Sequence, residues 1–207
     1  MSDDVLVERV VARTLAVPAT GGAVRVLVDG HPSARPEALA DVLVDPLRAA
    51  GRPVARVRVR DFWRPASLRL ERGREDADAL LDDTVDVAGL NREVLDAVGP
   101  GGRGRYVTSL RDPVTDRPTR APFVDVEPGL VVVLDGSLAL GRGLATDLTV
   151  HLALRPATLA RRTDPADAWT LAAYARYTEE VRPEVSADVV VRVDDARHPA
   201  WVGPALP

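Results

Sequence analysis

The 207-residue sequence has 46% hydrophobic and 28% charged residues, a formal net charge of −4 and no cysteine. The length suits one domain with a substantial core, no apolar run approaches the roughly 20 residues of a membrane span, and disulfides and thiolate metal sites are excluded. The net negative charge argues against a nucleic-acid-binding protein, and the acidic start MSDDVLVERV is unlike a secretory signal, so we expect a cytoplasmic protein.

The first part of the chain alternates helical and strand patterns. Residues 1–16 have the spacing of an amphipathic helix on the outside of the fold. The apolar run 24–29 predicts a buried strand, residues 37–50 predict an amphipathic helix, and residues 54–59 predict a second strand. Strand, helix and strand with short connections indicate a βαβ unit in a parallel sheet. Arginine alternates with valine in the second strand, which favours a position near the sheet edge.

Residues 61–128 differ from the rest of the chain. They are rich in Arg, Asp, Pro and Gly, and they contain one convincing helical pattern, at about 88–98. A long irregular insertion within a compact domain is typical of binding loops and lids. We therefore expect this segment to cover a binding site.

The last part of the chain returns to regular patterns. Residues 166–182 predict a helix that ends before Pro183, and three apolar runs predict buried strands at 130–135, 148–154 and 188–193. The chain is therefore expected to form one α/β domain over residues 1–200, built on a doubly wound five-stranded parallel sheet with 24–29 and 130–135 central. Residues 201–207 are expected to form a loose tail.

One segment carries the arrangement of a phosphate-binding site. In VRVLVDGHPSARPEALADVL, residues 24–43, an apolar strand ends in Asp-Gly, a short loop follows, and a helical pattern begins. Such a loop normally binds phosphate through backbone N–H groups of glycine-rich sequence, a lysine, and a Ser or Thr that holds Mg²⁺. All 27 basic residues here are arginine, so no lysine can perform that role.

Six segments occur in an order that resembles the uridine kinase and phosphoribulokinase-like group of P-loop kinases. They read LVDG before a helix, RDFWRP, LLDDTVDVAGLNREVL, VVVLDG, LARR and RYTEEVRPEVSADVVV, and they span about residues 24–195. The resemblance implies a P-loop kinase fold of the nucleoside-kinase type, with 61–128 as an insertion. It also implies transfer of the ATP γ-phosphate to a ribose hydroxyl.

The loop departs from this family at three positions. Counting from Gly30, the second glycine of the motif falls on Arg35, the lysine on Pro36 and the hydroxyl residue on Glu37. A carboxylate at a helix start fills the place of a phosphate, which favours the helix and disfavours ATP. Arg35 leaves an alternative open, because a guanidinium can clamp phosphate, and Gly30 and Ser33 stay candidate phosphate contacts with it.

The catalytic aspartate that the resemblance implies is also displaced. Its position falls on Arg60, and Asp61 follows one residue later. Adjacent residues at a strand end point in opposite directions, so Asp61 is a candidate general base only if the strand has already ended. The alternative is that Asp61 caps the chain or pairs with nearby arginines.

Other candidates are implied by the matching segments. Asp135 would lie near the metal if Mg²⁺ binds, although Asp-Gly is also ordinary turn chemistry. Arg161 and Arg162 match the start of the arginine lid, which is cut short. The candidate substrate contacts are Asp82, Asp83, Arg111 and Tyr177. A solvated acidic turn before a helix and a structural tyrosine are the alternatives for three of these.

Three hypotheses follow from these patterns. The first is a degenerate nucleoside-kinase-like protein with a pocket for a nucleoside, sugar or phosphorylated metabolite and with weak or no phosphotransfer. The second is an active kinase that uses Arg35, Asp61 and Asp135, and only this one requires ATP and Mg²⁺ as cofactors. The third is a non-enzymatic regulatory or structural subunit. A homodimer is compatible with each of them, and none involves nucleic acid or a membrane.

Overall fold

The computed structural model describes residues 1–19 and 22–203. The strands are β1 (Val24–Gly30), β2 (Val54–Arg58), β3 (Arg105–Tyr106), β4 (Arg111–Asp112), β5 (Arg117–Pro118), β6 (Val124–Asp125), β7 (Val131–Gly136), β8 (Leu148–Ala153), β9 (Val189–Arg192) and β10 (Ala200–Val202). The α-helices are α1 (Asp3–Ala16), α2 (Pro36–Val42), α3 (Val44–Ala49), α4 (Ala66–Arg69), α5 (Ala77–Asp82), α6 (Val87–Leu90), α7 (Asp96–Val98), α8 (Pro156–Arg162), α9 (Leu171–Val181) and α10 (Pro183–Ser186).

The central sheet has the order β10-β9-β8-β1-β7-β2. Its five predicted strands are confirmed and all pair in parallel, with β1 and β7 in the interior and β2 at one edge. The expected count of five is wrong by one, because β10 adds antiparallel to β9. Trp201 and Val202 therefore belong to the sheet and not to a loose tail, and residues 204–207 of the predicted tail lie outside the described residues.

Two apolar cores lie on opposite faces of the sheet. Alternate residues of β1 and β7 are buried on both sides, so Val26 and Val133 join one core while Leu27 and Leu134 join the other. The first core packs against α1, α2 and α3, and the second packs against helices of the insertion and against α9. Continuous valine and leucine in these strands follows from burial on both faces, as in doubly wound sheets. No helix of the described residues is both long and apolar enough to cross a membrane.

Three predicted helices are present with local departures. The helix predicted at 37–50 is divided at Leu43, because Pro46 has no N–H to donate to the carbonyl one turn earlier. The helix near 88–98 runs from α6 to α7 through a π-helical stretch at Asn91–Leu95. The helix expected at 166–182 begins as a 3-10 segment, Pro165–Thr170, before α9.

The insertion contains more structure than its sequence predicts. The short helices α4 and α5 were not expected, and two small antiparallel hairpins pair β3 with β6 and β4 with β5. Helix α5 begins where the Asp76 carboxylate accepts a hydrogen bond from the Ala79 N–H at 2.7 Å. Helix initiation by such a cap requires no long apolar periodicity, which explains why the pattern was weak.

Candidate functional site

The loop after β1 folds back on itself. The Ser33 N–H donates to Nδ1 of His31 at 3.1 Å, the Ala34 N–H donates to the His31 carbonyl at 2.8 Å, and the Arg35 N–H donates to the Pro32 carbonyl at 2.9 Å. Pro32 and Pro36 have no N–H. These loop N–H groups are therefore satisfied internally, whereas a phosphate-binding loop directs them to its ligand.

Arg35 has a backbone conformation that glycine adopts more readily than other residues. Its φ and ψ angles are 60° and 53°, which is the left-handed region. Gly30, in contrast, is required sterically, because a Cβ there would lie 3.1 Å from the Leu152 Cβ and 3.2 Å from the Leu152 carbonyl oxygen. The loop thus begins at a closely packed glycine and includes a residue with a Cβ in the left-handed conformation.

Two groups of ion pairs lie beside the loop. The Glu37 carboxylate lies 3.2 Å from Nε of Arg58 and 3.3 Å from the guanidinium of Arg60. Arg56 contacts the carboxylates of both Asp41, at 2.8 Å, and Asp135. Arg56 and Arg58 alternate along β2, and Arg60 follows in the next turn. All three contact carboxylates of α2.

Two cavities, each of about 460 Å³, open at the carboxyl ends of β1 and β7. We call them the loop cavity and the helix cavity, and they share Pro32, Trp63 and Ser137 in their walls. Arg35, Glu37, Asp41, Arg60 and Asp135 line the loop cavity. The helix cavity is lined mainly by rings, aliphatic side chains and hydroxyls, from His31, Ser33, Trp63, Leu80, Leu81, Thr84, Val85, Leu138, Arg162, Thr163, Asp164, Asp167, Thr170 and Tyr174. Ligands of open α/β sheets bind at this end of the strands.

The candidate base Asp61 lies in a 3-10 turn that follows β2. The turn spans Val59–Phe62, so the strand has ended before Asp61, as the candidate role requires. Burial raises the pKa of Asp61, and the neighbouring Arg60 and Arg58 oppose that rise. Burial likewise raises the pKa of Asp135, against the effect of Arg56. Asp61 does not line either cavity.

The candidate substrate contacts in the insertion form ion pairs outside the helix cavity. The Asp82 carboxylate contacts Arg176 at 2.7 Å and Arg142 at 3.5 Å, and Arg176 is the main cause of its lowered pKa. Asp83 contacts Arg72 at 2.6 Å and Arg64 at 3.2 Å. Asp61, Asp82 and Asp83 line neither cavity, so the structure does not bring these candidate residues together at one of them.

The candidate arginines also separate. The Arg111 guanidinium donates to the carbonyl of Asp116, within the hairpin of β4 and β5. Arg161 is exposed on α8, whereas Arg162 lines the helix cavity and donates to the carbonyls of Val193 and Asp194. Of these three, Arg162 alone is placed at a cavity described above.

Tyr177 belongs to a buried network that sequence reasoning missed. Its hydroxyl donates to Oδ2 of Asp29 at 2.9 Å, and Nδ1 of His151 lies 2.8 Å from the same oxygen. The other oxygen of Asp29 accepts the Ala139 N–H at 3.0 Å. Burial and the Asp29 charge raise the pKa of Tyr177, so it stays protonated as a donor. The polar His151 within the apolar run 148–154 was the available signal.

A second group missed from the sequence faces the helix cavity. The Tyr174 hydroxyl lies 2.6 Å from Oγ of Ser137, and the ring of His31 meets the ring of Tyr174 edge-on at 4.4 Å. Burial lowers the pKa of His31 to about 4, so its ring is neutral near pH 7. Burial raises the pKa of Tyr174. This part of the cavity wall therefore presents neutral rings and hydroxyls.

The loop cavity does not fit Mg-ATP by the chemistry of its side chains. Within residues 1–19 and 22–203, no cluster of three or more carboxylates or histidines is placed to hold a metal ion. Glu37 and Asp135 are each in contact with arginine, which competes with a cation for their oxygens. The N–H groups of Ser33, Ala34 and Arg35 are bonded within the loop and are not directed at a ligand.

Comparison with known proteins gives structural likenesses only. No family model and no curated protein matches the chain. A candidate uridine kinase from Bacillus stearothermophilus has a TM-score of 0.69 and 20% identity, over 89% of this chain and 96% of that one. A candidate fructose transport system kinase from Silicibacter sp. TM1040 has a TM-score of 0.66 and 23% identity, over 92% and 98% of the two chains.

A third solved structure, the YGR205w protein, has a TM-score of 0.56 and 10% identity, and the likeness covers 97% of each chain. At these identities the likeness bears on the fold, and it extends over nearly the full length of all three proteins. The mostly parallel sheet, with its loop at the end of β1 and its cavities at the strand ends, agrees with it. The chain therefore has the P-loop kinase fold.

Proposed function

We propose that the protein is a cytoplasmic, nucleoside-kinase-like protein with a degenerate phosphate loop. In this proposal it retains a pocket for a nucleoside, sugar or phosphorylated metabolite and transfers phosphate from ATP weakly or not at all. The observation that carries the proposal is the contrast between the two cavities. The loop cavity is lined by ion-paired side chains, such as Glu37 and Arg60, beside a loop that bonds to itself, while the helix cavity is lined mainly by rings, aliphatic side chains and hydroxyls.

The lost phosphate site is tested by titrating the protein with Mg-ATP in a calorimeter. We expect no binding at millimolar Mg-ATP, because the chain has no lysine and Glu37 occupies the start of α2. Micromolar affinity would overturn this expectation. Arg48→Ala, on the exposed side of α3, is the control for the variant Arg35→Ala described below.

The retained pocket is tested by thermal shift with nucleosides, nucleoside monophosphates and sugar phosphates. A ligand that binds only the native state raises the midpoint of unfolding, by an amount that grows with the ratio of its concentration to Kd. At least one compound should therefore stabilise the protein. A panel without any shift would remove the proposal and favour a non-enzymatic regulatory subunit.

An active kinase is the second candidate, and two observations favour it. Arg35 lines the loop cavity, and the raised pKa of Asp61, caused by burial, suits a general base. If this candidate holds, Arg35→Ala should abolish Mg-ATP binding, and Asp61→Asn should abolish phosphate transfer while ATP binding persists. ATP binding that survives Arg35→Ala would contradict it.

A further inference from the structure

The charges of the helix cavity do not favour a phosphate group. Two carboxylates, from Asp164 and Asp167, and one guanidinium, from Arg162, line it. The Arg162 guanidinium is hydrogen-bonded to the backbone. One terminal nitrogen donates to the Val193 carbonyl at 3.1 Å and the other to the Asp194 carbonyl at 2.6 Å. These bonds use two of the five N–H donors of the guanidinium and fix its position. The cavity lining thus has two carboxylates against one guanidinium, an excess of negative charge that disfavours a phosphate dianion.

The two carboxylates differ in their availability. Oδ1 of Asp164 accepts the Ala166 N–H at 2.9 Å and so starts the 3-10 segment that leads into α9. No side-chain hydrogen bond or ion pair joins the Asp167 carboxylate to any residue of the described ranges 1–19 and 22–203. Asp167 is exposed to solvent and also lines the cavity, so its carboxylate is available there as a hydrogen-bond acceptor.

The Asp167 charge acts on two ring side chains of the same cavity. Burial is the larger cause for both: Asp167 opposes the lowering of the His31 pKa and contributes to the raised pKa of Tyr174. Both of these rings line the helix cavity. A ligand in this cavity would therefore meet both an anionic acceptor and neutral rings.

We propose that the helix cavity binds an unphosphorylated ring compound that carries hydroxyl or amino groups, and that Asp167 accepts a hydrogen bond from it and excludes phosphorylated ligands. The rings of Trp63, His31 and Tyr174 provide the apolar walls for the ring of the ligand. An ionised carboxylate attracts hydrogen-bond donors and repels a phosphate dianion in the same space. This inference rests on the proposed function, because it specifies the ligand of the same pocket.

The test uses matched pairs of probes: uridine and uridine 5′-monophosphate, adenosine and adenosine 5′-monophosphate, ribose and ribose 5-phosphate. We expect at least one unphosphorylated member to bind at least tenfold more tightly than its phosphate in calorimetry. Asp167→Asn should weaken that binding about tenfold, as expected for the loss of a charged hydrogen-bond acceptor. Asp45→Asn, at a fully exposed carboxylate of α3, should leave it unchanged.

The outcomes separate the inference from the proposed function. Tighter binding of the phosphorylated members, or unchanged binding in Asp167→Asn, would overturn the inference and leave the pocket in place. Failure of every probe would overturn both. A measurement without ligand adds a check, because Asp167→Asn should lower the pKa of His31 in NMR titration. An unchanged titration of His31 would show that the carboxylate does not act on the cavity.

Discussion

Arg35 adopts a left-handed conformation that costs a residue with a Cβ roughly 1–2 kcal/mol relative to the right-handed region. Glycine does not have this cost, so we expect Arg35→Gly to raise the free energy of unfolding by about 1 kcal/mol. The measurement is urea denaturation followed by circular dichroism. Arg48→Gly, inside α3, is the matched control and should destabilise by about 1 kcal/mol, since its backbone is helical.

A stability loss in Arg35→Gly equal to that of the control would contradict the expectation. Either the backbone of Arg35 would not be left-handed, or its side chain would stabilise the loop by more than the conformation costs. The comparison of these two variants therefore tests whether the backbone of Arg35 is left-handed.

Asp61 gives the protein a pH dependence of defined sign. Its folded pKa is raised above the usual 3.8 by burial, against the effect of Arg60 and Arg58. Such a carboxyl stabilises the fold below the unfolded pKa, and that contribution is lost as the pH rises through the folded pKa. We expect Asp61→Asn to gain stability relative to the wild type between pH 4 and pH 7 in urea denaturation. Asp45→Asn controls for the loss of one charge.

Gly136, which closes β7, shows how closely two elements approach. A Cβ at this position would lie 2.8 Å from Cγ2 of Val59 and 3.0 Å from its Cβ, in the turn that follows β2. Since Val59 is buried and branched at Cβ, we expect Gly136→Ala to destabilise the fold by about 1–3 kcal/mol. Thermal and urea denaturation measure the effect.

A double-mutant cycle identifies the cause. Val59→Ala removes the methyl groups that the new Cβ would meet, so the double variant should be more stable than the sum of the two single effects predicts. Additive effects would mean that Gly136 is needed for its backbone and not for the approach of Val59.

The elements that could be predicted were those with strong apolar character. Strands β1, β7 and β8 are apolar runs buried on both faces, and β9 is rich in buried valine, which the sequence displays directly. Strand β2 alternates arginine with buried residues, which is also a strand pattern. Strand β10 was missed because it has only three residues, two of them exposed. Helices α4 and α5 were missed because they are too short to show a period.

Site geometry could be predicted only where it follows from local backbone. The position of Glu37 at a helix start is local and was predicted. The predicted strand 54–59 ends before Asp61, and the structure has a turn there. The partners of Asp82 lie 60 and 94 residues away, and a chain with 27 arginines offers too many alternatives to choose among. The Asp29 network depends on contacts across 110 to 148 residues.

At the scale of the whole molecule, the first helix and the last strand are linked. The Met1 amino group donates to the Pro199 carbonyl at 3.0 Å, and the Arg9 guanidinium lies 5.9 Å from the centre of the Trp201 ring. Trp201 also packs against the core that α1 covers. We expect Trp201→Ala to destabilise the fold by roughly 2 kcal/mol, less than a fully buried tryptophan would cost.

The neighbouring Val202→Ala is the control for this prediction. Val202 is 40% exposed, so its truncation should change the free energy of unfolding by less than about 0.5 kcal/mol. Equal effects of the two variants in thermal denaturation would mean that β10 contributes to stability only through its backbone pairing with β9.

The strand order also has a consequence for self-association. An open sheet exposes unpaired backbone groups on its outer strands, and such edges can recruit further strands and start aggregation. Here one edge is β2, whose arginines alternate with apolar residues, and the other is β10, which is only three residues long. Charged side chains disfavour further strand pairing at β2, and the short length of β10 disfavours it at the other edge. Any assembly of this protein is therefore expected to form through its helices and not by extension of the sheet.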